Sequence, residues 1–283
     1  MRSRRRAVRI ERLTSVTAPL WDAFVAAHPD GWFWHTSAWL EYQRYYREDN
    51  RDLSFMVVEE QEASLPPHVL SVVPVIVARG RAGAPEFSYS GDPLASWLAV
   101  SASASRFGAS HVLALAAEHG VRRSVQASSP FGRRGVIVLP ERPLIETPYN
   151  ATHRVVTLTV DPCDLWRGIR KSYRSLIHGA ERRYTFTTAD AETPYAAETF
   201  DAYARLHRQR ATLPRSDETY RLQREWLLGG QGLVTIAERP EGVRGAAYWI
   251  VYKRAAYYAS GVYAEDDLAH AVIWRSFLAL RER

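Results

Sequence analysis

Between Asp164 and Tyr184 the chain reads DLWRGIRKSYRSLIHGAERRY, which gathers six Arg or Lys residues and one histidine. At 3.6 residues per turn this predicts one helix over 164–183, about five turns long. Leu165, Ile169, Tyr173, Leu176, Ile177 and Ala180 fall on its apolar face, and Arg167, Arg170, Lys171, Arg174 and His178 fall on the other. Such a helix can hold a polyanion while its hydrophobic side anchors it. Most charge runs are solvated surface. Here only Glu181 lies inside the run, so the i,i+4 acid–base lacing of an ordinary exposed helix is largely missing.

Other reactive types are sparse. His270 begins the last predicted helix, at the end of the preceding strands where a substrate would sit. Tyr257 and Tyr258 alternate across a strand, so only one of them faces a groove. Arg215, a loop arginine and a candidate substrate-binding residue, precedes Ser216 and Asp217, which read as helix caps. His207, between Leu206 and Arg208, fits a satisfied polar residue as well as a functional one. Cys163, the single cysteine, excludes an internal disulfide framework and has no partner base near it in sequence. No His/Asp/Glu spacing supports a metal, and no Ser/His/Asp arrangement can be defended.

The elements that must position these groups come from a chain of 283 residues, enough for two domains of about 140. A 46% hydrophobic, 24% charged composition is that of a globular protein. The net charge of +6 makes an anionic partner plausible without marking a polybasic module. The basic N-terminus MRSRRRAVRIERL lacks the apolar run of a signal peptide, and Val69–Ala78, broken by Pro74, is too short for a membrane span. These features predict a cytoplasmic protein with no transmembrane segment.

The first half, 1–150, predicts a strand at 8–13, helices at 20–27 and 37–46, and paired strands at 53–60 and 69–79. A Gly/Pro/Ser-rich loop over 80–93 follows, then a helix at 109–119 and strands at 121–127 and 135–139. The second half, 151–283, repeats that grammar. It has a strand at 153–160, the basic helix, a strand at 184–188, helices at 196–210 and 217–228, strands at 232–238, 243–253 and 255–263, and a helix over 268–283. Helices followed by a strand meander and a covering helix define an α+β unit, here occurring twice.

In this order the motifs resemble the FemAB-like family of peptidoglycan bridge-forming aminoacyltransferases. WDAFVAAHPDGWFWHTSAWLEY is similar to the family's Trp-x-x-Phe helix followed by Phe-x-His/Gln-Thr/Ser-x-x-Trp. IRKSYRSLIHGAERRYTF resembles its Arg-x-x-Ile-x-x-Ala helix and the strand after it. RLHRQRATLPRSDETYRLQREWLLGGQGLVTIAE and AAYYASGVYAEDDLAHAVIWRSFLAL resemble surface-polysaccharide-associated members. The resemblance implies two tandem GNAT-type acyltransferase domains. It also implies amide formation between an aminoacyl donor, aminoacyl-tRNA in the first instance, and an amine of a cell-envelope precursor, polysaccharide or natural product.

Arg170, Lys171 and Arg174 would then hold either the phosphates of a tRNA acceptor end or the diphosphate of an anionic small-molecule or lipid-linked acceptor. Tyr258 is the better tyrosine by its match to the family's AYY motif, as a binding group. Family members bind acceptor through a Lys four positions after Trp39. Gln43 stands there, which leaves Arg44 beside it as the candidate. No cofactor beyond the co-substrate is implied. Acyl-CoA users of this fold hold pyrophosphate on a glycine-rich turn opening a helix. Here Glu265, Asp266 and Asp267 occupy that position, and Arg106-Phe107-Gly108 is a degraded match read as a loop. An acyl-CoA-dependent N-acetyltransferase and a non-catalytic substrate-binding relative are the alternatives. Family members continue past the last helix with a further strand and a Phe-Lys segment, so the second sheet is expected to lack its last C-terminal strands. A sheet edge exposed in that way would favour a partner or a homodimer.

Overall fold

Residues 7–61, 65–80, 83–90, 92–127, 145–148, 154–212, 215–265 and 267–283 are described by a computed structural model. The chain divides into two compact units, Met1–His153 and Arg154–Arg283.

Unit 1 runs β1 (Val8–Arg12), α1 (Ala18–Ala27), a 3-10 turn (Phe33–His35), α2 (Ser37–Tyr46), β2 (Arg51–Asp52), β3 (Phe55–Glu59), β4 (His68–Val73), β5 (Ile76–Arg79), β6 (Pro85–Phe87), β7 (Leu94–Ala95), β8 (Leu98–Ala99), α3 (Ala102–His119), β9 (Arg123–Ala127) and β10 (Ile145–Pro148). Thr36 caps α2 by accepting from the Trp39 N–H at 3.2 Å, and Ser101 caps α3 by accepting from Ala104 N–H at 3.2 Å. α3 ends at Gly120, whose φ of 65° is the left-handed conformation that glycine takes without strain.

The strands form two sheets. β1-β3-β4-β8 is antiparallel throughout, and β10-β9-β6-β5-β2 is mixed, with β7 also on β9. The predicted strand over 69–79 is therefore two strands in different sheets. Pro74 lacks the N–H needed to continue the ladder, and the chain crosses over there. The 80–93 loop contains β6, while the strand expected at 135–139 lies outside the described residues. Trp32 and Phe33 are buried with Trp21 and Leu40, and Trp39 stacks on Tyr42, so this aromatic cluster is core.

Unit 2 runs α4 (Pro162–Gly168), α5 (Lys171–Glu181), β11 (Thr185–Ala189), α6 (Ala196–Arg210), α7 (Asp217–Trp226), a π turn (Leu227–Gln231), β12 (Gly232–Arg239), β13 (Gly242–Tyr252), β14 (Ala255–Tyr263) and α8 (Leu268–Arg281). Its single sheet is an antiparallel meander in the order β11-β12-β13-β14. One face packs on α5 and α8 through Ile177, Ala180, Leu233, Ala247, Trp249 and Val272. Ile177 is 2% exposed, and burying such a side chain contributes about 1.5–3 kcal/mol. The other face packs on α6, where Phe200 and Tyr203 meet Tyr248.

Two sequence expectations fail here for local reasons. Residues 154–160 form no strand. Val155, Val156 and Val160 are exposed, and β-branched composition without a neighbouring strand to pair with does not make one. The basic helix over 164–183 is two helices, broken where Ile169 and Arg170 turn extended at ψ 131° and 136°. Gly168 is a poor helix former, and the break frees α5 to lay Ile177 and Ala180 on the core.

Candidate functional site

The break in the basic run builds the site. Arg170 becomes the N-cap residue of α5, and Lys171 and Tyr173 enter its first turn, which contains no acid. The exposed N–H groups and the dipole of α5 therefore add to the charge of Arg170, Lys171 and Arg174. Arg170 and Lys171 are exposed and Arg174 half-buried. Tyr173, assigned to the apolar face from sequence, is instead 40% exposed. Its ring stacks on His270 at 4.2 Å between centroids and 20° between planes, and the Arg170 guanidinium lies 5.9 Å from the same ring. His270 sits in the first turn of α8. The structure thus joins two sequence candidates, Arg170 and His270, through a tyrosine that periodicity had placed in the core. Helix spacing offered no signal for this, because it depends on how α8 crosses α5.

The far end of α5 is electrically balanced. Arg183 donates to Asp267 at 2.6 Å and to Glu265 at 3.4 Å, and Arg239 lies 3.9 Å from Glu265. Hydrogen bonding to Asp267 holds the Arg183 guanidinium above its ordinary pKa. Glu181 pairs with Arg275 at 2.7 Å, and the His178 ring, 4.9 Å from Trp166, lies 3.5 Å from Glu181. The acids expected to repel phosphate at the start of α8 are engaged by arginines, while Asp266 lies outside the described residues. Arg106, Phe107 and Gly108, read as a loop, are helical within α3, and Gly108 approaches Val73. They open no helix on which a pyrophosphate could rest.

Tyr258 is 36% exposed on the α8 face of the sheet, packed on Trp249. Its hydroxyl lies 3.0 Å from that of Tyr263, over Gly261, where a Cβ would overlap both hydroxyls. Burial pushes both phenol pKa values up. Tyr263 and Leu268, two residues before His270, meet over Gly245, so the tyrosine pair lies toward the N-terminal end of α8.

Arg215 is not part of this group. It acts on Tyr203 and His207, on the α6 face of the sheet. There His207 Nδ1 lies 2.9 Å from the Tyr220 hydroxyl, and Tyr203 and Ser260 hydroxyls are 2.6 Å apart. Burial, then the charges of Arg215 and Arg208, lower the His207 pKa to about 4. Burial pushes Tyr203 up to about 12. Arg44, in unit 1, is exposed and lines an open cleft with Arg12, Arg51 and Asp52. Gln43, at the family lysine position, is buried. Among the described residues no cluster of His, Cys, Asp or Glu could hold a metal, and no helix is long and apolar enough to cross a membrane.

Mixed α+β units whose strands are mostly antiparallel and whose helices cover the sheets define the architecture, and a solved structure shares it. The chain is similar to FemX, with a TM-score of 0.56, 12% identity, and coverage of 97% of this chain and 86% of that one. The resemblance to the FemAB-like family read from sequence motifs therefore has a counterpart in the fold. Lower scores relate it to the C-terminal domain assigned to a lysylphosphatidylglycerol synthetase of Agrobacterium fabrum (0.46, 12% identity, 95% and 75% coverage). A conserved protein of Enterococcus faecalis V583 described as a probable N-acyltransferase scores 0.35, at 11% identity and 98% and 63% coverage. No family profile and no curated protein matches the chain.

Proposed function

We propose that this protein is an N-acyltransferase of the FemAB-like kind, with two GNAT-type domains. It would join an aminoacyl group, carried by aminoacyl-tRNA, to an amine of a cell-envelope precursor, polysaccharide or natural product. The observation that carries this reading is the likeness in fold to FemX over 97% of the chain. The cationic start of α5 gives that fold a place for an anionic substrate. Arg170, Lys171 and Arg174 would grip phosphate, with Arg170 positioned by Tyr173 and Tyr173 by His270.

Amide formation needs a neutral amine, a donor for the developing oxyanion and close placement of the two substrates. On the α8 face the Tyr258 hydroxyl, kept protonated by burial, could donate to that oxygen, and His270 could receive the amine proton. The lack of a glycine-rich turn at the start of α8 favours a donor other than acyl-CoA.

The test is incubation of the full chain with charged tRNA or acetyl-CoA and a panel of amines, with amide products read by mass spectrometry. Product from charged tRNA alone is expected. Product from acetyl-CoA alone would make the chain an N-acetyltransferase. Binding of charged tRNA or a nucleotide-linked acceptor without turnover by any donor would make it a non-catalytic relative.

A further inference from the structure

Of the residues that line the cleft of unit 1, only Arg44 has been given a role above. The cleft has a volume of about 440 Å³, within the range of small-molecule sites, and is lined by Arg12 and Leu13 at the end of β1, Arg44 on α2, and Asn50, Arg51 and Asp52 at β2. Three guanidiniums face one carboxylate, a surplus of two positive charges. Several other arginines of this chain are held by carboxylates, as Arg123 is by Glu86, Arg208 by Asp217 and Arg221 by Glu218 and Glu225. Arg44 and Arg51 have no such described partner; Asp52 acts on Arg44 only at a distance.

The frame around these guanidiniums is fixed. Asn50 is buried, its Nδ2 donating to the Gln43 carbonyl at 2.7 Å and its Oδ1 accepting from the Ser90 hydroxyl at 2.8 Å. That pair ties the end of α2 to the start of β2 and so sets the spacing of Arg44 and Arg51. Arg12 Nη2 donates to the Asp52 carbonyl at 3.1 Å, which holds the third guanidinium at the same rim. Asp52 accepts from the Ser54 N–H at 2.9 Å, and burial raises its pKa against the pull of Ser54, Arg44 and Arg12. A half-buried carboxylate beside cations is suited to accept from a ligand hydroxyl.

We propose that this cleft binds a phosphorylated polar small molecule of the sugar-phosphate class. Arg44 and Arg51 grip the phosphate and Asp52 receives a hydroxyl. The volume exceeds that of a lone phosphate, so the site accommodates more than the anion. Leu13 is the one apolar residue of the lining and no aromatic ring faces the cleft, so nothing there stacks a base. The polar remainder of a sugar fits that wall better than a nucleoside does. This inference shares Arg44 with the acceptor reading of the sequence, but its test needs no turnover, so it can fail while the acyl-transfer reading stands and the reverse.

Isothermal titration of the full chain with glucose 6-phosphate, inorganic phosphate, glucose and uridine monophosphate tests it. Glucose 6-phosphate is expected to bind at least about 10-fold tighter than phosphate, and glucose not to bind. Each of Arg44→Ala and Arg51→Ala should weaken glucose 6-phosphate about 10-fold, the loss of one charge-assisted contact, with circular dichroism unchanged. Asp52→Asn should weaken glucose 6-phosphate more than phosphate. Absence of glucose 6-phosphate binding, equal binding by the arginine variants, or equal affinity for phosphate and glucose 6-phosphate would overturn the proposal. So would tighter binding of uridine monophosphate than of glucose 6-phosphate.

Discussion

The two faces of the unit 2 sheet use the same residue types to opposite ends. On the α6 face, His207, Tyr203 and Tyr220 meet in the interior with half-buried Arg215 beside them, Tyr203 being fully buried and His207 6% exposed. Burial there selects neutral forms, and the hydroxyls and imidazole satisfy one another. On the α5 face, Arg170, Tyr173 and His270 meet at the surface beside a helix N-terminus. Solvent supports the Arg170 charge there, and positive potential is left for a ligand. The lesson is that Arg, His and Tyr in proximity do not define a site. Desolvation decides whether they stabilise the fold or remain available for an anion.

The largest effect expected is on the buried side. His207 has a folded pKa of about 4 against an ordinary 6.5, so the unfolded chain takes up a proton that the folded one refuses. The stabilisation is complete above pH 6.5 and is lost as pH falls toward 4, at most about 3 kcal/mol. Urea denaturation across that range should show the decline, and His207→Gln should remove this part of it. An unchanged pH slope in the variant would place the proton uptake elsewhere and break the contrast between the faces.

On the exposed side, Arg174→Ala should raise the Michaelis constant for the anionic substrate about 10-fold, or ~1.4 kcal/mol, and flatten its salt dependence while leaving Tm alone. Were the salt response unaltered, the α5 surface would be ordinary solvated charge. Gly261→Ala should cost about 1–3 kcal/mol, since the new methyl must displace the Tyr258 and Tyr263 hydroxyls. Thermal melts would read this, and an unshifted Tm would mean that the tyrosine pair yields freely. The smallest effect belongs to Arg183→Ala. Its pairs with Asp267 and Glu265 are exposed to solvent, so only a small fall in Tm is expected, and a smaller one at high salt. A larger loss would show that the α8 start depends on neutralisation.

Much of this architecture was legible from patterning. The α+β composition, the helix at 37–46, the meander of three long strands and the last helix all follow from periodicity and turn chemistry. Strand partners were less legible. Nothing local tells 69–79 that its two halves belong to different sheets, or tells 154–160 that no strand will pair with it. The division of unit 1 into two sheets, against one in unit 2, arises from such pairings. The repeat of element order therefore did not become a repeat of sheet arrangement.

By itself the sequence determined where charge accumulates. The run from Asp164 holds many bases and few acids, and that remains true in any fold. Tertiary structure decided which of those charges can act. A two-residue break put Arg170 at a helix N-terminus, the crossing of α8 over α5 brought His270 onto Tyr173, and Arg183 was spent on Glu265 and Asp267. Arg215 and His270, equal as candidates in sequence, were parted onto opposite faces of one sheet. The physical reason is that charge and periodicity are local properties of a chain, whereas desolvation and proximity belong to elements far apart along it.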